Sequence, residues 1–415
     1  MPFRLHTPVL AVAMISIAMG GAAAGGQEPR SEPEQTPPKV ETGADIGGQA
    51  ARPSDALLQP DPLEPVLEAV RLRPLQRWLS DHNFQFHPGF TFIWQGASDV
   101  QEDTDNLFSA SFDLDMTWQI YEQPGSAGTV GLLVDGGQVI GHHQSEDLSA
   151  NVGSSLGLNA DADNEFVRIA ELWYAQAVGE VVVIVIGKID ATNYFDTNRI
   201  ANDETTQFIS SPLVNNASIP FPDRGLGINA SAKFRERFYA TIGISDALSD
   251  ENESGFNTVG DAKQFLAAEF GFTPTFRGLL GAYRFTWWRS ELDGNSDTGV
   301  AFSVDQQIAP GIVPFARLGI GGEDLARFEY FASVGVGFEN AFGQQDHLVA
   351  IGAAWGHTAD TLEGSGESET IVETFYRFPL TDTVTLTPDV QMILNPIDSD
   401  GGVVLVDGAR LQASF

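Results

Sequence analysis

Leu279 to Trp288 reads LLGAYRFTWW, and its side chains sort by parity. Leu279, Gly281, Tyr283, Phe285 and Trp287 fall on one side of an extended chain, and Leu280, Ala282, Arg284, Thr286 and Trp288 on the other. Successive residues of a β-strand point to opposite faces. The period of two therefore predicts a strand with one apolar, aromatic face and one face that carries charge. At the C-terminus Ala409, Leu411, Ala413 and Phe415 oppose Arg410, Gln412 and Ser414 in the same way. A water-soluble sandwich also alternates, so this pattern alone leaves sandwich and membrane barrel open.

Composition favours the barrel. Of 415 residues, 43 are Gly and 28 Phe, charged residues make up 19%, and hydrophobic residues 42%. The longest apolar run, Val178 to Gly187, is too short for a membrane helix, which needs about 20 residues. From about Phe84 onward the chain reads as alternating segments punctuated by Gly, Asn, Asp and Pro. At roughly 20 residues per strand and connection, this length gives about 16 strands. Short and long connections alternate, as in the tight Leu380 to Asp382 turn against the long Ala359 to Ser368 segment. The expected fold is all-β, a transmembrane antiparallel β-barrel with a short N-terminal helix.

The N-terminal part divides further. Residues 1–24 carry Arg4, an apolar stretch from Val9 to Met19 and Ala22-Ala23-Ala24, the pattern of a signal peptide. Residues 25–62 are a Pro-rich spacer whose composition buries too little apolar surface to offset its ordering entropy. Leu63, Val66, Leu67, Val70, Leu75, Trp78 and Leu79 are spaced as a helix interrupted at Pro74, so residues 63–82 are expected to form a short periplasmic helix ahead of the barrel at 83–415. Cysteine is absent, so an exported chain has no disulfides and relies on its backbone ladder. A net charge of −34 and a pI near 4.3 exclude nucleic acid as a partner, because that needs a basic footprint.

Catalytic and metal signatures are missing. His142 and His143 are adjacent, His347 and His357 stand apart, and no HExxH or GxSxG occurs. Gly225 to Ala230 fits a dinucleotide fingerprint in form only, since it opens a strand where that motif requires a helix. Asp250, Asn252, Ser254, Gly255 and Asp261 match the spacing of a calcium loop without flanking helices, and read as one of several acidic, solvated connections. The expectation is no enzyme, no metal and no cofactor.

The stretch from Gly187 to Ile228, GKIDATNYFDTNRIANDETTQFISSPLVNNASIPFPDRGLGI, joins two strand-like segments through a long polar and aromatic connection. Its Gly187 to Asp190, Tyr194 to Asp196, Ala201 to Asp203 and Ile219 to Asp223 resemble the OprB family of carbohydrate-selective outer-membrane porins. The terminal Phe415 on an alternating strand likewise resembles the sorting signal of outer-membrane barrels. The resemblance implies sixteen strands, a short helix before the first of them, and a pore that passes sugars. The implied surroundings are outer-membrane lipid and lipopolysaccharide, with a homo-oligomer open.

A sugar needs polar partners for its hydroxyls and ring faces for its C–H surfaces. Strand parity assigns Glu171, Trp173, Lys188, Asp190, Lys233, Glu269, Arg284, Trp288 and Arg317 to the lumen. Asp196, Asn198, Arg199 and Arg224 lie in the long connection, the best candidate for a loop that folds inward and narrows the pore. Parity around Val167 to Ala177 is less clean than elsewhere. The competing readings are a general or cation-preferring porin of the same fold, and a secreted, soluble β-sheet carbohydrate-binding protein or hydrolase.

Overall fold

The computed structural model describes residues 78–415 apart from 102–104, 141–147, 162–166, 257, 259–262, 293, 360–365 and 400–401. The expected signal peptide, the spacer and residues 63–77 of the expected helix lie outside the described residues, as does Asp261 of the calcium-like spacing. Residues 78–80 are helical, and Asn83 takes a left-handed turn (φ 59°) into the first strand.

The strands are β1 (Phe84–Ala97), β2 (Asn106–Gln123), β3 (Ser126–Ile140), β4 (Arg168–Val178), β5 (Val182–Ile189), β6 (Gly225–Phe234), β7 (Phe238–Asp246), β8 (Gln264–Phe272), β9 (Thr275–Phe276), β10 (Leu279–Leu292), β11 (Asn295–Gln306), β12 (Ile312–Ile320), β13 (Phe328–Glu339), β14 (Leu348–Thr358), β15 (Ser368–Pro379), β16 (Val384–Leu394) and β17 (Val403–Ser414). The two residues of β9 belong to the turn between β8 and β10, which pair directly. The other sixteen form one antiparallel ring, closed where β1 pairs with β17 from Gly89↔Ser414 to Ala97↔Val406. Closure satisfies every strand's backbone groups laterally, and this is what lets strands cross a membrane.

One rim carries tight turns, such as Pro124-Gly125 between β2 and β3, where Gly125 has φ 78°. The other carries the long connections, including 141–167, 190–224 and 247–263. In barrels of this kind the short-turn rim faces the periplasm. Large apolar side chains stud the outer face, among them Phe92, Trp94, Ile242, Phe285, Trp287, Val334 and Leu405. Near the short-turn rim Phe234, Phe238, Phe272 and Tyr283 form a chain of ring contacts at 5.9, 4.8 and 6.2 Å, an interfacial aromatic girdle. Phe415 joins that rim edge-on to Phe90 at 6.4 Å, with its N–H donating to the Pro88 carbonyl at 3.0 Å.

The core lies inside the ring. Residues 148–161, with the short helix α1 (Ser149–Val152), and the connection 190–224, with α2 (Ser211–Val214), fold into the lumen. Ile200, Phe208 and Leu213 of the second connection pack on inward Phe315, Phe331, Ile371 and Phe375, and Phe208 meets Phe315 and Phe375 edge-on at 5.8 and 5.0 Å. Inward glycines make room for this. A Cβ at Gly337 would lie 2.7 Å from Ile200, and one at Gly352 about 3.0 Å from Phe208 and Leu213.

Candidate functional site

The connection from β5 to β6 is built by local chemistry first. Asp190 caps a 3₁₀ turn, Ala191–Asn193, accepting the Thr192 N–H at 2.8 Å and the Thr192 hydroxyl at 2.6 Å. Tyr194 and Phe195 then drop into an apolar cluster with Trp173, Phe265 and Trp288. Asp196 adopts φ 57° and turns the chain across the lumen. Its N–H donates to Glu269 Oε2 at 2.8 Å, while its carboxylate meets Arg317 Nε at 2.9 Å. Burial pushes the Asp196 carboxyl up to about 6, with Arg317 opposing the shift.

Around this crossing wall residues pair with one another and with the connection. Glu269 also accepts from Tyr239 at 2.7 Å and Thr286 at 2.8 Å, and Arg284 pairs with Asp305 at 2.8 Å. Arg317 donates to the carbonyls of Asp196 and Leu213 at 3.0 and 3.3 Å. Asn198 accepts the Ile200 N–H at 3.1 Å and holds a tight bend. The expected residues Glu269, Arg284, Asp196, Asn198 and Arg317 thus come together, but as the seat of the inserted connection.

A second cluster lies toward the long-loop rim. Arg224 reaches Asp135 at 3.0 Å, Glu251 at 3.2 Å and Asp190 at 3.4 Å, and Arg168 pairs with Asp135 and Glu251 at 2.9 and 3.0 Å. Glu171 accepts from Asn193 at 3.1 Å. The uneven parity of this segment has a cause, a β-bulge at Ala170 opposite Leu133 and Val134, which resets which residues face inward.

Three expectations change. Lys188 pairs in register with Leu172, whose side chain is on the outer face, so Lys188 is not a lumen residue. Its ammonium is covered by the 247–263 connection and donates to the carbonyls of Ile169, Glu251 and Glu253 at 2.9, 2.6 and 2.7 Å. Trp173 and Trp288 do face inward, yet they are 3% and 0% exposed. The inserted connection covers both rings, leaving no free face on which a sugar could stack.

The solvated lining lies elsewhere. Arg199 makes a bidentate pair with Glu339 at 2.8 and 2.7 Å, with the two side chains 22% and 27% exposed. Lys233 is exposed on the inner face near the short-turn rim. Inward from β2 stand Asp113, Asp115 and Thr117, all partly exposed, which the sequence reading passed over. Their signal was available, because Phe112, Leu114 and Met116 alternate with them as cleanly as the residues of β10. Arg377, half-buried and donating to the Thr206 carbonyl at 3.3 Å, was also missed.

A closed sixteen-strand barrel with an apolar outer belt, a polar interior and a connection folded into its lumen defines the porin class of outer-membrane proteins. The model of one family, described as carbohydrate-selective porin, OprB family, matches residues 137–293 and 290–415, and the chain belongs to that family. Its barrel resembles a high-pH structure of Pseudomonas putida OprB, with 17% identity, 83% of this chain and 97% of that one covered, and a TM-score of 0.68. For a low-pH structure of the same protein the values are 16%, 83%, 96% and 0.56. The outer-membrane channel DcaP of Acinetobacter baumannii shares the fold at 12% identity and a TM-score of 0.51, over 80% of this chain and 97% of that one. An uncharacterized Aquifex aeolicus (strain VF5) protein is 42% identical over 70 residues, 16% of this chain, which spans only 23% of that relative.

Proposed function

We propose that this outer-membrane porin passes sugars by passive diffusion, without catalysis, cofactor or energy coupling, in a bilayer of lipid and lipopolysaccharide. The observation that carries the reading is the solvated part of the inner wall. Arg199 with Glu339, Lys233, Asp113, Asp115 and Thr117 offer donors and acceptors that replace water around a hydroxylated solute. Family membership supports the same substrate class. Permeation requires that these contacts stay weak enough for release. Liposome swelling with sugars and a non-sugar polyol of equal size tests it directly. Faster entry of one or more sugars than of the polyol is expected, and equal rates for all would reject selectivity for sugars.

One observation favours a second reading, a cation-preferring pore. Asp113 and Asp115 present two carboxylates from one strand face to the lumen. Reversal potential in a salt gradient separates the readings, since a dominant acidic lining displaces it toward the cation potential.

A further inference from the structure

Two carboxylates four residues apart on the inner face of β15 each hold a different inserted segment. Glu373 accepts the Ile209 N–H at 2.6 Å and the Ser210 N–H at 2.9 Å, just ahead of α2 in the 190–224 connection. Glu369 accepts the Ser155 and Leu156 N–H groups at 2.9 and 3.3 Å and the Ser154 hydroxyl, all in the 148–161 segment. It also takes the Ile397 N–H at 3.2 Å from the connection between β16 and β17. Both glutamates are fully buried.

The chemistry suits the task. A segment lying in a lumen has no neighbouring strand, so its buried backbone groups need partners from the wall. A carboxylate is acceptor-only and offers two oxygens, so it can take paired N–H groups in charge-assisted bonds. The opposite polarity is met by Arg410 on β17, whose guanidinium donates to the Glu204 and Gln207 carbonyls at 2.6 and 2.8 Å. Gln95 of β1 and Gln391 of β16 likewise converge on the Leu158 carbonyl at 3.2 and 3.0 Å. β15 thus holds both segments through its carboxylates.

We propose that Glu373 and Glu369 are the positioning residues of the pore, each seating one inserted segment, so that the calibre of the passage is set from the inner face of β15. Glutamine at either place keeps one acceptor and turns an amide N–H₂ toward the second backbone N–H, which breaks the paired grip. The inference deepens the diffusion reading, because calibre matters only to a solute that passes through.

The absence of cysteine makes a clean test possible, because one introduced thiol labels one site. Spin labels at Thr205→Cys, in the 190–224 connection, and at Ala150→Cys, in the 148–161 segment, report the two segments separately. Glu373→Gln should mobilise the label at 205 and leave that at 150 unchanged, while Glu369→Gln should do the reverse. Loss of a hydrogen bond to a charged group should raise the detached population about tenfold or more. It should appear as added open-channel current noise in planar bilayers. Ser210→Pro supplies an independent variant, since Ser210 already has φ −68° and the substitution removes its N–H together with its hydroxyl. It should mobilise 205 alone. Unchanged mobility at 205 in both Glu373→Gln and Ser210→Pro overturns the proposal, and so does loosening of both labels together in every variant. The crossed pattern in a protein that does not discriminate sugars would uphold the positioning role and reject the sugar reading alone.

Discussion

The inner faces of β10 to β12 and of β2 are both polar by sequence, yet they have different physical lives. Arg284, Trp288 and Arg317 are sealed beneath the 190–224 connection, whereas Asp113, Asp115 and Thr117 meet solvent. Parity determines which way a side chain points. Whether water reaches it depends on what folds over it, and here that is a segment whose wall contacts include partners 73 and 206 residues away in sequence. Beneath the segment, charges act as structural partners; in the open half of the lumen they are available to a solute.

The largest effects should come from the sealed side. Arg317→Ala leaves the Asp196 carboxylate buried without its ion pair, and breaking such a pair costs about 3 to 5 kcal/mol. The unfolding midpoint in guanidinium should fall sharply. An unchanged midpoint would remove the distinction between the two walls. Trp288→Ala, which empties a fully buried ring site, should cost about 3 to 5 kcal/mol as well. Its sugar block should change only as far as the connection shifts, and a selective loss of block at full stability would return Trp288 to the lining.

The outer belt comes next. Phe285→Arg puts a charge where hydrocarbon is expected and should cost about 2 to 4 kcal/mol near the bilayer midplane, less toward an interface. At the chain's end Leu411→Arg should destabilise more than Gln412→Arg, by a small margin so near the rim. Reversal of that order in thermal melts would contradict the register of β17.

A pH effect sharpens the comparison further. Burial holds the folded carboxyl of Asp196 at about 6 against an ordinary 3.8, so the folded state binds this proton more tightly than the unfolded one. Its contribution favours folding fully below about pH 4 and is lost as pH rises through about 6. Asp196→Asn should flatten this part of the stability curve, and an identical slope in parent and variant would contradict the assignment. The smallest stability change belongs to the open wall. Asp115→Asn should alter stability by no more than about 0.5 kcal/mol while reducing cation preference in reversal potential.

Much of the fold was legible because a half-lipid, half-lumen strand writes its environment at every second residue. LLGAYRFTWW faces as its parity requires, with Phe285 and Trp287 outside and Arg284 and Trp288 inside. The long connection could be recognised, and so could Asp196 and Arg199 as parts of an inward loop. The seat of that loop was not, because insertion is a non-local event that the period of two does not encode. The 148–161 segment was missed altogether, although Leu148, Val152, Leu156, Leu158 and Ala160 are all buried there. All five share one parity, so the period of two reads them as strand-like, whereas the chain there forms α1 and turns inside the lumen. A single bulged residue, Ala170, was enough to blur the parity of β4, and a covering connection hid Lys188 on a face that otherwise meets lipid.

Lys188 carries a consequence of its own. Three carbonyl oxygens converging within 3 Å form the kind of cradle that elsewhere takes a dissolved ion, and here the positive charge at its centre is tethered to the chain. A free ion is shared with the medium, and its occupancy rises and falls with supply, with competing anions and with chelators. An ammonium at the end of its own strand has no such equilibrium with the outside. The 247–263 connection is thereby fastened at a fixed stoichiometry of one, on the side of the barrel where the composition of the surroundings is least under the cell's control.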